Sequence, residues 1–170
     1  AAISFVRSRA DSLGIDPEFY RKKDIHIHFP EGAVPKDGPS AGVAISVALI
    51  SELTGIAVKR DIAMTGEITL RGRVLAIGGL REKTMAAYLA GVKTILLPEE
   101  NRKDEGEILP EVKENVEIIY ISHADEAARL ALCAEPFAYE KKSLPQEKNE
   151  NQYIAVPESH GRGAAIEAAK

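Results

Sequence analysis

Ser40 stands inside Pro35-Lys36-Asp37-Gly38-Pro39-Ser40-Ala41-Gly42, a turn rich in glycine and proline that opens directly into an apolar run from Ala41 to Leu53. A hydroxyl there sits at the start of a helix, where backbone N–H groups lack intrahelical acceptors and the helix dipole is positive. If the serine attacked a carbonyl, such donors would stabilise the oxyanion that forms. Capping of the helix is the competing use of the same side chain. A serine hydroxyl becomes a nucleophile only when a neighbour takes its proton, and His26, His28, Asp37 and Lys83 are the candidates. Either histidine with Asp37 would complete a Ser-His-Asp triad, because triads follow geometry rather than chain order. A Ser-Lys pair with Lys83 is the alternative; a lysine can act this way only where burial or a nearby positive charge lowers the pKa of its amine from about 10.4. Leu80, Met85 and Ala86 offer Lys83 an apolar surround, whereas Arg81 and Glu82 turn part of the same segment toward water. Thr65, in Met64-Thr65-Gly66-Glu67, reads as a strand threonine whose hydroxyl gains a role only beside the site. The two histidines could hold zinc from positions i and i+2 of a strand, but no third ligand accompanies them, and no metal is expected.

The elements that must position these groups follow from the apolar periodicity. An opening helix runs to Leu13-Gly14 and breaks at Asp16-Pro17. Ile25-His26-Ile27-His28-Phe29 alternates strictly, which predicts a strand with Ile25, Ile27 and Phe29 on one face and both histidines on the other. Pro30 to Pro39 is a loop, and the helix from Ala41 to Leu53 ends at Gly55. Ile62 to Thr69 is predicted as a strand, Leu70-Arg71-Gly72 as a turn and Arg73 to Ile77 as the hairpin partner. Leu80 to Ala90 reads as a helix stopped by Gly91, which places Lys83 about one turn in. Short strands at Lys93 to Leu97 and Val116 to Ile121 flank a charged stretch of helical turns, and a helix from Ala124 to Leu132 follows. Helices and strands alternate, so the fold class is α/β, a single compact domain over residues 1–135. Residues 136–170 lose apolar anchors and are expected to form a tail, disordered or left over from an expression vector.

Composition narrows the function. A chain of 170 residues with 45% hydrophobic content can bury one real core. The net charge of −4 and the small basic patch Arg21-Lys22-Lys23 give no footing for nucleic acid. Cys133, the single cysteine, excludes an internal disulfide, fits a reducing compartment and reads as a small core hydrophobe. No apolar run approaches the ~20 residues of a membrane span. The abrupt start without Met is expected to mark a piece of something longer.

Four motifs in order then make a specific resemblance. His26-Ile27-His28-Phe29-Pro30-Glu31-Gly32-Ala33, the Ser40 turn, Met64-Thr65-Gly66-Glu67 and Gly78-Gly79-Leu80-Arg81-Glu82-Lys83 closely resemble the proteolytic domain of the Lon family of ATP-dependent serine proteases, over about Ala2 to Leu132. The resemblance implies Ser40 as nucleophile, Lys83 as general base, Thr65 as a hydrogen-bond partner of the lysine, and His26, His28 and Asp37 as supporting residues. It further implies unfolded or damaged proteins as substrates, a homo-hexameric ring, and a cytoplasmic or organelle-matrix location. The chain contains no Gly-x-x-x-x-Gly-Lys-Ser/Thr loop. No cofactor is therefore expected in this chain, and ATP and magnesium belong to an ATPase module outside it. The family's earliest strands, which precede Ala2, are also expected to lie outside it. Two other readings stay open: a non-catalytic Lon-like assembly module, and a small-molecule kinase of related fold that uses the Ser40 turn to cradle phosphate.

Overall fold

The computed structural model describes residues 1–28 and 38–137. The amino-terminal part is helical: α1 (Ala2–Ser8), α2 (Ala10–Leu13) and a short α3 (Phe19–Lys22). The sequence does not announce α3, a single turn anchored by Phe19, which is 2% exposed. A 3-10 turn at Pro39–Ala41 runs into α4 (Gly42–Thr54), which stops before Gly55 as its apolar pattern predicts.

The framework that carries the site is a three-stranded parallel sheet in the order β1–β4–β5, with β1 at Ile62–Met64, β4 at Thr94–Pro98 and β5 at Glu117–Ile121. Met64 lies opposite Leu96, and Leu96 opposite Ile119. As the central strand, β4 has both faces covered, so Ile95-Leu96-Leu97 reads as a continuous apolar run. Leu96 packs with α1, α4 and α7 (Ala124–Ala131) on one side; Ile95 and Leu97 pack with α5 (Leu80–Leu89) and α6 (Pro110–Asn115) on the other. A 3-10 segment at Glu99–Glu107 leads from β4 toward α6. No helix among the described residues is long and apolar enough to cross a membrane.

Several expectations are corrected. The predicted strand from Ile62 to Thr69 divides: Ile62–Met64 joins the parallel sheet, and β2 (Glu67–Ile68) pairs antiparallel with β3 (Val74–Leu75) in a separate hairpin. The break falls at Thr65-Gly66, whose backbone N–H groups donate to Leu96 and to Ser40. No strand forms over Ile25–His28, which has no regular secondary structure and pairs with no strand among the described residues; Phe29 lies outside them. Ile27 is accordingly 44% exposed, although Ile25 packs against the core. Cys133 is exposed rather than buried. Past the end of α7 the chain is extended, so Leu132 turns inward to a bridge with Val58 and the next side chain faces out. The predicted tail lies outside the described residues from 138 onward.

The hairpin is fastened at its turn. The Ala124 N–H donates to the Gly72 carbonyl, the Val74 N–H donates to the Ser122 carbonyl, and the His123 ring bonds the Arg71 carbonyl. His123 also caps α7, accepting from the Asp125 N–H while the Glu126 carboxylate accepts the His123 N–H. Gly72 lies against this junction with φ +89°, and a Cβ there would collide with Cε2 of the buried Phe5 ring and reach within 2.7 Å of Cε1 of His123. Gly72→Ala should therefore cost about 2–4 kcal/mol of stability, through overpacking and the left-handed backbone. Urea denaturation measures this, and an unchanged midpoint would show that the junction yields freely.

Candidate active site

The backbone that places Ser40 is held by the segment crossing between β1 and β2. The Gly66 N–H donates to the Ser40 carbonyl at 2.8 Å, and the Thr65 hydroxyl donates to the same carbonyl at 3.2 Å. The Gly66 carbonyl in turn accepts the Val43 N–H at 3.1 Å. The start of α4 is thus bonded to the sheet through main-chain groups, and the N-cap positions are Gly38 for the 3-10 turn and Ala41 for α4, so Ser40 occupies neither. That position removes the helix-cap reading. Gly66 is a position without room for a side chain: a Cβ would lie 2.8 Å from both Val43 Cγ2 and Val74 Cγ1.

Lys83 enters from α5. Helix side chains lean toward the N-terminus, and this one folds back over the first turn until Nζ donates to the Gly78 carbonyl at 2.8 Å. Ser40, Thr65 and Lys83 line one cleft of about 330 Å³, whose remaining walls include Ala44, Ala87 and Leu97. Alanine at positions 44 and 87 opens the space that larger residues would fill, and the half-buried Lys83 presents the amine against largely apolar walls. Ser40, Lys83 and Thr65 therefore share one cleft, carried by the 3-10 turn before α4, by α5 and by the residue that follows β1. A serine and a lysine on one cleft are the residue types that a Ser-Lys acyl transfer uses.

The other candidates lie elsewhere. His26 and His28 are exposed and line a separate groove of about 580 Å³ between their segment and the Ile45, Leu49, Glu52 and Leu53 face of α4. Neither histidine is among the residues lining the Ser40 cleft. Asp37 falls outside the described residues. Thr65 donates to the Ser40 carbonyl, where the resemblance implied a bond to the lysine. The carbonyl of Gly78, the acceptor for Lys83, escaped the sequence reading because a main-chain group has no residue-type signature. Among the described residues no group of His, Cys, Asp or Glu could hold a metal ion.

Residues 1–134 match the family model for the Lon protease (S16) C-terminal proteolytic domain. The chain belongs to the Lon family. The Lon protease of Brevibacillus choshinensis is 57% identical over 141 residues, which cover 83% of this chain and 18% of that protein. The Lon protease of Bacillus thuringiensis is 61% identical over 132 residues, 78% of this chain and 17% of that protein. The Lon protease of Brucella abortus is 50% identical over 166 residues, 98% of this chain and 20% of that protein. The chain thus spans about a fifth of the length of these Lon relatives.

Within this Lon domain, the Thr65 hydroxyl can be removed with little change of shape. Thr65→Val should leave the Gly66 bond to Ser40 in place and cost about 1 kcal/mol, a few degrees in the thermal midpoint. Calorimetry checks this; an unaltered midpoint would mean that the hydroxyl does not hold the Ser40 turn.

Proposed function

We propose that this chain is the peptide-bond-hydrolysing part of a Lon-type ATP-dependent protease, a serine endopeptidase with Ser40 as nucleophile and Lys83 as general base. The observation that carries the reading is the convergence of Ser40 and Lys83, from separate helices, on one cleft. In its neutral form the Lys83 amine accepts the Ser40 proton while Oγ attacks the substrate carbonyl. The new oxyanion is held by backbone N–H groups of the Ser40 turn. As the tetrahedral intermediate collapses, the Lys83 ammonium protonates the departing amine and leaves an acyl-serine ester. Water then enters, gives its proton to Lys83 and attacks the ester; collapse returns the proton to Ser40 Oγ and releases the acid.

Thr65 holds the Ser40 carbonyl and keeps oxygen lone pairs that can accept a Lys83 N–H, so both roles fit one hydroxyl. His26, His28 and Asp37 are supporting residues in this reading, acting from outside the cleft. Substrates are unfolded or damaged proteins, since only an extended chain can lay a peptide bond into so small a cleft. Hexameric assembly, the ATPase module with its ATP and magnesium, and a cytoplasmic or organelle-matrix location belong to the longer protein of which such a domain forms about a fifth. The pairing of Ser40 with Lys83 favours catalysis over a non-catalytic assembly module, and a phosphate-cradling kinase would have no use for the lysine.

Cleavage of a fluorogenic peptide tests the assignment. Ser40→Ala and Lys83→Ala should each lower kcat by about 10³-fold or more. Activity that survived Lys83→Ala would return the base to His26 or His28.

A further inference from the structure

Three polar side chains among the described residues are fully buried, and two of them, Ser46 and Thr84, bond carbonyls of their own helices. Asn101 does something different. It is 2% exposed and reaches across to the loop between β3 and α5. Its Oδ1 accepts the Ile77 N–H at 2.9 Å, and its Nδ2 donates to the Ile77 carbonyl at 3.0 Å and to Asp104 Oδ2 at 2.9 Å. The amide orientation is fixed by chemistry, because the Ile77 carbonyl and the Asp104 carboxylate can only accept. One side chain thereby satisfies both main-chain groups of Ile77, as an antiparallel strand would. One residue earlier, Glu100 accepts the Ala76 N–H and pairs with Arg73. The Ala76 N–H first, and then Arg73, hold the Glu100 carboxyl below its ordinary value.

The residue after Ile77 is Gly78, whose carbonyl receives the Lys83 ammonium. Gly78 has no side chain to anchor it, and a Cβ built there would meet nothing within 4 Å. Its carbonyl direction is therefore inherited from the fastened residues before it and from α5 after it. A neutral lysine amine has two N–H groups and one lone pair. Fixing one N–H on the Gly78 carbonyl restricts where the lone pair can point.

We propose that Asn101 is a positioning residue for Lys83: it locks Ile77, which sets the Gly78 carbonyl, which orients the lysine nitrogen toward the Ser40 cleft. The inference rests on Lys83 as the base. Asn101 does not line the cleft, so its loss should leave substrate binding alone. Misplacement of a reacting group by about 1 Å can cost about 10²-fold in rate. Asn101→Ala should lower kcat by about 10- to 100-fold with KM unchanged.

The test uses the whole chain and two readouts. The first is kcat and KM against pH for the parent, Asn101→Ala and Val112→Ala, the last removing bulk from the core cluster against which Ile77 packs while leaving the Asn101 hydrogen-bonding groups in place. The second does not require activity: trinitrobenzenesulfonate labels amines as a function of pH, and mass spectrometry reads the Lys83 peptide. Expected is a displaced Lys83 labelling profile in Asn101→Ala, with the parent profile kept in Val112→Ala. If Asn101→Ala fails to fold, Asn101→Asp combined with Asp104→Asn restores a hydrogen bond between the two side chains and an acceptor for the Ile77 N–H, but leaves the Ile77 carbonyl unpaired. That variant should show an intermediate displacement. A displaced profile in an inert parent would sink the protease reading and keep the positioning role. Identical Lys83 labelling with and without the Asn101 amide would overturn the positioning role, whatever the parent cleaves.

Discussion

The bond between the Gly66 N–H and the Ser40 carbonyl is the constraint around which the rest of the site is arranged. It joins the first residues of α4 to the end of the parallel sheet, and the return bond from Val43 to the Gly66 carbonyl makes the junction two-sided. Hydrogen bonds of this kind contribute only about 1 kcal/mol each to net stability; their importance here is geometric. They decide that Ser40 meets the cleft with its carbonyl already satisfied, inside the turn and not at an N-cap position. Val43 and Val74 close on Gly66 from two sides, so the same point also locks the hairpin against the helix.

Lys83 is placed by a second, weaker set of restraints. Its helix begins at an irregular loop, and the loop is ordered by side chains from a distant 3-10 segment rather than by a neighbouring strand. Ser40 and Lys83 are therefore positioned by different means: main-chain bonding to the sheet for one, side-chain bonding to a loop for the other. The two meet because β4 packs α4 on one face and α5 on the other, with the cleft between them at the end of β1.

The parts legible in the sequence were those with their own local signals. The Ser40 turn and its helix announced themselves through glycine, proline and an apolar run ending at Gly55; the Lys83 helix did so between Gly79 and Gly91. The central strand was legible too, because burial on both faces makes Ile95-Leu96-Leu97 apolar throughout. The misses share a cause. Ile25 to His28 alternates like a strand, but pairing needs a partner, and periodicity does not supply one. Ile62 to Thr69 was divided by a tertiary bond to Ser40, which no window along the chain could contain. Cys133 was read from apolar neighbours, yet an extended chain turns successive side chains to opposite sides. Asn101 looked like one polar residue in a charged stretch, and its role came from a partner in another element.

The order β1–β4–β5 also governs when the molecule can acquire its chemistry. Met64 must find Leu96, and Leu96 must find Ile119, before the central strand has neighbours on both edges. Pairings between segments so far apart in sequence require long loops to close first, which makes them late and slow steps in folding. Ser40 and Lys83 are brought together through that same strand, so a chain that has formed its helices but not yet its sheet has both reactive groups and no common cleft. Maturation of the site is therefore tied to completion of the domain as a whole, and not to any one of its pieces.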